Sequence, residues 1–190
     1  VMLSSALDYR PGANGNQYHA WQATLGARAV VFTTHPASMP RKGTRWADGD
    51  RYWNGTASMP RTAQRDSAAI HIYAPAYEAQ TAPPLEAFGY LDETHAWFPT
   101  EEFDEVHQEG GWTFGRKGDG YVGLWSWRPT EWRTHAPGVV NQNGLTEDFD
   151  LVAPGGPDNV WVVEVGEAGR GYADFAEFRS ALLASPPSVA

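Results

Sequence analysis

The sequence has 190 residues, no cysteine and a formal charge of -9 at pH 7. The acidic balance argues against nucleic-acid binding by phosphate neutralisation, which needs clustered Lys and Arg. The lack of cysteine excludes disulfides, thiolate metal sites and cysteine nucleophiles. Nine Trp, eight Tyr and eight Phe, with 20 Gly and 14 Pro, favour short strands joined by many turns. We therefore predict one all-β domain over residues 1–190, an antiparallel β-sandwich with one C-terminal α-helix.

Residues 1–15 are predicted to form a leading segment, because turn-forming residues cluster from Tyr9 to Gly15. This segment lacks the basic and apolar regions of a signal peptide, and the chain has no apolar run of 18 residues. The compartment stays open, with secreted, periplasmic and cytoplasmic locations all compatible. The first residue is Val1 instead of Met, and we expect the domain to be the C-terminal part of a longer polypeptide.

Residues 16–24, NQYHAWQAT, mix polar and aromatic side chains. In an extended conformation Gln17, His19, Trp21 and Ala23 would share one face, because side chains alternate along a strand. A face of this composition suits the wall of a cleft better than a buried core.

The next two segments differ sharply in pattern. Residues 29–34, AVVFTT, predict a strand that ends before His35 and Pro36. Residues 37–65 predict a long irregular excursion that holds six of the fourteen basic residues. Long loops in compact domains are usually functional or disordered, and the aromatic residues here argue against disorder. The excursion is interpreted either as a binding surface for an anionic ligand or as a solvated basic loop.

Short strands are predicted around residues 66–73, 85–91, 95–99 and 103–108, and this spacing is typical of a sandwich or barrel. His71 lies between two isoleucines, which favours a structural histidine over a ligand.

A central hairpin is predicted over residues 110–129, because both arms alternate with a period of two. The turn at residues 117–120 contains two glycines, which tolerate the positive φ values of tight hairpins. Gly123 faces large aromatic residues and leaves space for a neighbouring ring.

The C-terminal third predicts an edge strand at 131–133, a polar loop at 136–148, a strong strand at 159–165 and a helix at 172–184. In the strand, Trp161, Val163 and Val165 form the predicted core face. The helix is indicated by an apolar stripe with an acid near its start, formed by Phe175, Phe178, Leu182 and Asp174.

No nucleotide, metalloprotease or nucleophile-elbow motif is present, and we predict no cofactor and no metal site. His19 and His35 could share a metal with a carboxylate if their strands were neighbours, but their spacing gives no support. The remaining candidates are polar, aromatic and basic residues of the first third: Gln17, Tyr18, His19, Trp21, His35, Arg41, Trp53, Asn54 and Arg61. Sugars stack on Trp and Tyr, Arg attracts uronate or sulfate, and Tyr or His can transfer protons beside a carboxylate. The set fits an acidic polysaccharide.

The segments NQYHAWQATLG, AVVFTTHP, RYWNGTASMPR, AIHIY, HAWFP, FDEV, GGWTFGRKGDGYVGLWS and NVWVVEVG occur in that order. Together they resemble the C-terminal β-sandwich region of heparinase II/III-like polysaccharide lyases and their uncharacterised relatives, over about residues 10 to 180. Enzymes of that family pair an N-terminal (α/α) toroid with this sandwich, and the substrate cleft lies between the two. They cleave uronic-acid-containing polysaccharides by β-elimination.

The resemblance implies catalytic roles for His19 and Tyr18. It implies substrate contacts for Asn54 and Arg61, and it allows His35 in place of Tyr18 beside His19. The other predicted substrate contacts follow from their polar and aromatic side chains, and they are Gln17, Trp21, His35 and Trp53. The implied partners are an acidic polysaccharide and an (α/α) toroid of the same or a companion chain, with no nucleic acid and no membrane. Most catalytic residues of the family come from toroid helices that this sequence does not contain, so we expect the chain alone to be inactive. The alternatives are a non-catalytic carbohydrate-binding domain and a purely structural or assembly domain.

Overall fold

The computed structural model describes residues 1–5, 20–35, 37–38, 60–74, 89–90, 92–133 and 150–189. In chain order the strands are β1 (Met2–Ser5), β2 (Trp21–Thr24), β3 (Val30–Thr34), β4 (Ala37–Ser38), β5 (Arg61–Arg65), β6 (Ala68–Tyr73), β7 (Gly89–Tyr90), β8 (Glu93–Trp97), β9 (Glu105–Glu109), β10 (Trp112–Lys117), β11 (Gly120–Ser126), β12 (Glu131–Trp132), β13 (Asp150–Pro154), β14 (Asn159–Ala168) and β15 (Gly171–Tyr172). A short 3-10 helix spans Thr100–Glu102, and α1 spans Phe175–Ala184.

Two antiparallel sheets form the body of the protein. The first sheet has the order β1-β2-β3-β8-β13-β12, and the second has the order β5-β6-β14-β11-β10-β9. The short β15 pairs with β14 in parallel, and β4 pairs with β7. The predicted antiparallel sandwich with one C-terminal helix is confirmed.

The main core lies between the inner faces of the two sheets. Its large members are Trp21, Val31, Tyr73, Phe98, Phe103, Val122, Leu124, Leu151, Trp161, Val163 and Val165. Each large apolar side chain that is fully buried stabilises the fold by about 1.5–3 kcal/mol. The predicted core face of β14 is confirmed, since Trp161, Val163 and Val165 are buried while Val160 and Val162 are half-buried.

Two buried hydrogen-bond networks join the sheets through the core. In one, Asn159 Nδ2 donates to Thr94 Oγ1 of the first sheet and to Ser126 Oγ of the second, each at 2.9 Å. Trp161 Nε1 donates to the same Thr94 oxygen at 2.9 Å. The other network contains Trp21 and is described with the candidate site. Polar groups inside a core must be paired in this way, because an unpaired group costs about 1–3 kcal/mol.

Helix α1 covers part of the outer face of the second sheet, as its stripe of Phe175, Phe178 and Leu182 predicts. These side chains pack with Trp112, Phe114, Tyr121 and Trp125 of the predicted hairpin. Asp174 is the N-cap residue, and its carboxylate accepts from the Glu177 backbone N–H at 2.9 Å. Within the described residues, α1 and any other helix fall short of the length and apolarity that a membrane span requires.

Gly123 lies directly opposite Phe114 in the central hairpin and makes room for the helix. A Cβ at this position would lie 2.8 Å from Leu182 Cδ1 and 3.2 Å from the Trp112 ring. We predict that Gly123→Ala lowers the free energy of unfolding by about 1–3 kcal/mol through overpacking, measured by urea unfolding. The control is Gly26→Ala, whose Cβ would meet no atom closer than 3.6 Å. Equal effects of the two substitutions would contradict the packing argument.

Three expectations about the strands are corrected. The face of residues 16–24 that contains Trp21 and Ala23 was expected to line a cleft, but both residues are buried in the core between the sheets. The irregular excursion was expected to reach residue 65, but Arg61–Arg65 form the edge strand β5. Strand β13 was not predicted at all. The rest of the excursion, residues 39–59, lies outside the described residues.

Candidate functional site at one end of the sandwich

Several strands begin or end together at one end of the sandwich, and ionisable and aromatic side chains concentrate there. Strand β2 begins at this end, whereas β3 and β6 end there. We call this region the histidine end, defined by Trp21, Thr33, His35, His71, Tyr73 and His95. All six side chains are buried. Three of the six are histidines, and polar rings are costly to desolvate unless they are hydrogen-bonded.

A chain of hydrogen bonds links the two sheets at the histidine end. Trp21 Nε1 donates to Thr33 Oγ1 at 2.7 Å, and the same oxygen lies 3.0 Å from the Tyr73 hydroxyl. The His35 ring meets the Tyr73 ring edge to face, with 6.2 Å between centroids. Burial raises the pKa of Tyr73 above its ordinary value. The phenol therefore stays protonated and can donate as well as accept.

His71 fills the space beside Trp21 on the inner face of the second sheet. The two rings are stacked, with centroids 4.5 Å apart and planes 6° apart. His71 Nδ1 lies 2.9 Å from Thr62 Oγ1, whereas its Nε2 is buried without a hydrogen-bond partner. Burial lowers the pKa of His71 to about 3, so the ring is neutral near pH 7. The ring packing agrees with the structural role predicted for this histidine.

His95 lies on the outer face of the first sheet, in the strand next to β3. It is paired in register with Thr34 on one side and Val152 on the other, so these three side chains share a face. Burial lowers the pKa of His95 well below its ordinary value, and the nearby His35 imidazole lowers it further. The ring therefore stays neutral near pH 7, with one ring nitrogen able to donate a hydrogen bond and the other able to accept one.

The next row of the same outer face is formed by Phe32, Trp97 and Asp150, which are also register partners. The Phe32 and Trp97 rings stack with centroids 6.2 Å apart, and the Asp150 carboxylate is fully buried. At the margin, Arg133 Nη2 donates to both carboxylate oxygens of Glu93 at 2.9 Å. The outer face of the first sheet is therefore polar and aromatic, whereas the outer face of the second sheet carries an apolar and aromatic cluster under α1.

The structure places the predicted site residues in two groups. Gln17, Tyr18, His19, Arg41, Trp53 and Asn54 lie outside the described residues. Trp21, His35 and Arg61 are described, and the first two come together at the histidine end, where they are 1% and 0% exposed. A polysaccharide at the surface therefore cannot reach either ring in this structure. Arg61 is exposed on the outer face of the second sheet, where it is paired with Ile72 and separated from His35 by the core.

Tyr73, His95 and Asp150 are not among the site residues predicted from the sequence. His95 begins HAWFP, a segment whose pattern predicts only a strand, and Asp150 begins β13, which no sequence pattern predicts. A usable signal would have been an ionisable residue inside or directly at a short strand. No group of three His, Cys, Asp or Glu suited to a metal ion is found within the described ranges.

No family model, curated protein or solved structure matches this chain. The features of this structure that bear on function are the histidine end and the outer face of the first sheet.

Proposed function

We propose that this chain is the β-sandwich domain of a carbohydrate-active enzyme of the polysaccharide lyase kind. Its first sheet contributes one wall of a cleft that holds a uronic-acid-containing polysaccharide. The opposite wall is an (α/α) toroid domain of the same or a companion chain. The proposal combines the resemblance of the sequence segments with the polar composition of one sheet face.

The observation that carries the proposal is the polar and aromatic outer face of the first sheet, on which His95 and Asp150 lie. Both side chains are fully buried, so their role in the proposal is to support the wall of the cleft and not to touch the polysaccharide. Burying an ionisable group costs free energy unless the group is paired or hydrogen-bonded, so such groups are uncommon on a sheet face. Ionisable groups with displaced pKa values cluster at functional sites, where their protonation state is part of the chemistry. The pKa of His95 is displaced in this sense.

The proposed reaction is a β-elimination. Tyr18 and His19 act as the acid and base, and one of them removes the proton at C5 of the uronate. An amide of Gln17 or Asn54 stabilises the enolate-like anion, and the glycosidic oxygen leaves with a proton. In the sequence, His19 stands two residues before Trp21, where β2 begins at the histidine end. Arg61 is not included, because it lies on the opposite sheet.

The experiment is an ultraviolet assay for the unsaturated uronate that β-elimination creates. Heparan sulfate, hyaluronan, alginate and polygalacturonate are incubated with the chain alone and with the chain joined to its toroid domain. We predict product only from the joined protein. His19→Ala in that protein should abolish turnover and leave the thermal unfolding temperature unchanged. His107→Ala, on the partly exposed strand β9, is the matched control and should retain activity.

The alternatives give different outcomes in the same experiment. A non-catalytic carbohydrate-binding domain would bind one of the polysaccharides, lose affinity in Trp53→Ala, and never form a product with a new double bond. A structural domain would show neither product nor binding. Either result would overturn the lyase proposal.

A further inference from the structure

The outer face of the second sheet is covered by α1 over only part of its width. The helix packs on β10, β11 and β15, and the described residues place nothing over β5, β6 and the adjoining part of β14. We call the uncovered part the arginine–isoleucine face, defined by Arg61, Arg65, Ile70, Ile72, Trp127 and Val160. Ile70 and Ile72 are each 36% exposed and Trp127 is 43% exposed.

The strand register aligns this face in continuous rows. One row joins Arg61, Ile72 and Val160, which are consecutive partners across β5, β6 and β14. A second row runs from Ala63 through Ile70 to Val162 and continues into the aromatic cluster under α1. The exposed apolar strip is therefore an extension of a surface that the protein already covers with a helix. Contiguous exposed apolar surface of this kind marks interaction sites.

The two arginines at the margin are available for a partner. No described carboxylate lies within ion-pair distance of Arg61, and its side chain is exposed. Arg65 Nε lies 3.9 Å from Asp66, but both side chains are more than 90% exposed. An ion pair that is so exposed is worth little and does not compete with a partner that buries the arginine. Among the described residues, this margin therefore holds two arginines and one carboxylate paired with an arginine, that of Asp66.

Helix α1 shows which structure complements the neighbouring surface. It buries an apolar stripe on the sheet, and Arg179 at its margin forms an ion pair with Glu109 of β9 at 3.2 Å. The uncovered part also combines an apolar strip with charged residues at its margin. Under α1 the arginine belongs to the helix and the carboxylate to the sheet, whereas here the arginines belong to the sheet. A complementary segment must then carry the carboxylates.

We infer that the arginine–isoleucine face docks an amphipathic segment of a partner polypeptide whose apolar stripe is flanked by Asp or Glu. The apolar stripe covers Ile70, Ile72 and Trp127, and the acidic flank pairs with Arg61 and Arg65. This function is separate from the proposed cleft, which lies on the other sheet.

A second copy of the chain is a poorer occupant. Strand β5 is an edge strand, and antiparallel pairing of two copies about Ala63 would place Arg61 opposite Arg65 of the other copy. Like charges directly opposite each other destabilise strand pairs, and charged residues protect sheet edges from such pairing. The edge therefore discourages self-association while it remains attractive to an acidic partner.

An acidic polysaccharide is also a poorer occupant. Sugar rings stack on flat aromatic faces, and Trp127 is the one large aromatic side chain of the described residues that is strongly exposed. The branched side chains of Ile70 and Ile72 offer no flat surface for a sugar. They suit the apolar side chains of a peptide.

The test measures fluorescence anisotropy of two labelled synthetic peptides with the full chain. One peptide is an amphipathic helix with a leucine stripe flanked by glutamates, and in its twin lysine replaces each glutamate. The acidic peptide should bind, and Arg61→Glu with Arg65→Glu should weaken its binding about tenfold or more. Lys117→Glu with Arg170→Glu changes the net charge equally, away from this face, and should leave the affinity within about twofold.

The outcomes separate the possible occupants. A gain in affinity for the lysine peptide in the Arg61→Glu, Arg65→Glu variant would support the inference further. It would show that the charges at positions 61 and 65 interact with the charges that flank the peptide's apolar stripe. Equal binding of both peptides, no binding of the acidic peptide, or equal weakening in the two charge-reversed variants would overturn it. Polygalacturonate binding that depends on Arg61 and Arg65, without peptide binding, would assign the face to a carbohydrate and also overturn it. The ultraviolet lyase assay is independent of all these results.

Discussion

Acidification from pH 7.5 to pH 5 will destabilise this protein by roughly 2 kcal/mol through His71, which is buried in its neutral form. The pKa of His71 is about 3 in the folded protein and 6.5 in its ordinary state. Below pH 6.5, His71 therefore binds a proton in the unfolded chain but stays neutral in the folded protein. The stabilisation is fully present above pH 6.5 and is lost as the pH falls towards 3. His95 shifts in the same direction and adds to the effect.

Urea unfolding at half-unit steps of pH measures this slope. The range from pH 7.5 to pH 5 lies above the titrations of Asp104 and Glu105. The pKa of Asp104 is lowered from 3.8 by a hydrogen bond from Gly118, and that of Glu105 is lowered from 4.5 by one from Arg116. The stability that these carboxylates contribute is lost only at lower pH. His71→Phe keeps a ring stacked on Trp21 and removes the titration, so its slope should be smaller by about 1.4 kcal/mol per pH unit below 6.5. An unchanged slope in this variant would contradict the assignment.

Removal of the Phe178 ring will cost about 3–5 kcal/mol, because this residue is fully buried between α1 and the second sheet. The ring contacts Tyr121 and Tyr172, with centroids 5.6 Å and 5.0 Å apart. It also rests against the backbone at Gly166, where a Cβ would lie 2.9 Å from Phe178 Cδ2. Phe178→Ala leaves a cavity that a strand backbone cannot fill by small shifts.

The measurement is the free energy of unfolding from urea titration, together with binding of a dye that reports exposed apolar surface. Phe178→Ala should bind more dye, because α1 then covers the aromatic cluster of the hairpin less tightly. Ser180→Ala on the exposed side of the same helix is the matched control and should change stability by less than about 0.5 kcal/mol. A loss below about 1 kcal/mol in Phe178→Ala would mean that α1 contributes little to the fold.

Local patterns were sufficient to predict the central hairpin, β14 and α1. In each, the alternation or the helical stripe of large apolar residues is strong within a few residues of sequence. The residues Trp161, Phe175 and Gly123 play the roles that their spacing predicts. Their periodicity is readable locally, although their burial is completed by residues distant in sequence, such as Thr94 beside Trp161 and Tyr121 beside Phe175.

Strands with weak local signals were not predicted. Strand β5, RTAQR, is an edge strand of the second sheet. Its polar side chains do not show the alternation of apolar and polar residues that predicts a strand. Strand β13, DLVAP, begins with an acid, ends in proline, and lies between two other strands of the first sheet. Its conformation is fixed by long-range pairing with β8 and β12, which the sequence alone does not reveal.

The candidate site also depends on contacts between segments that are distant in the sequence. The alternation around Trp21 was read correctly, but the face that it shares with Ala23 was assigned to a cleft because its sequence neighbours are polar. What buries Trp21 is Thr33, twelve residues later, and the ring of His71 from the other sheet. The grouping of His35 with His95 likewise depends on the pairing of β3 with β8. Contacts between distant segments decide which polar residues meet.

The buried network around Asn159 restricts sliding of one sheet over the other. Apolar contacts have no direction, so a small shear of the two sheets would change the buried area little. The same shear would break the bonds from Asn159 and Trp161 to Thr94, since hydrogen bonds depend steeply on distance and angle. Thr94 is the direct neighbour of His95 in β8. The lateral alignment of the sheets, and with it the position of the His95 imidazole, is therefore set by a threonine hydroxyl on the opposite side of the same strand.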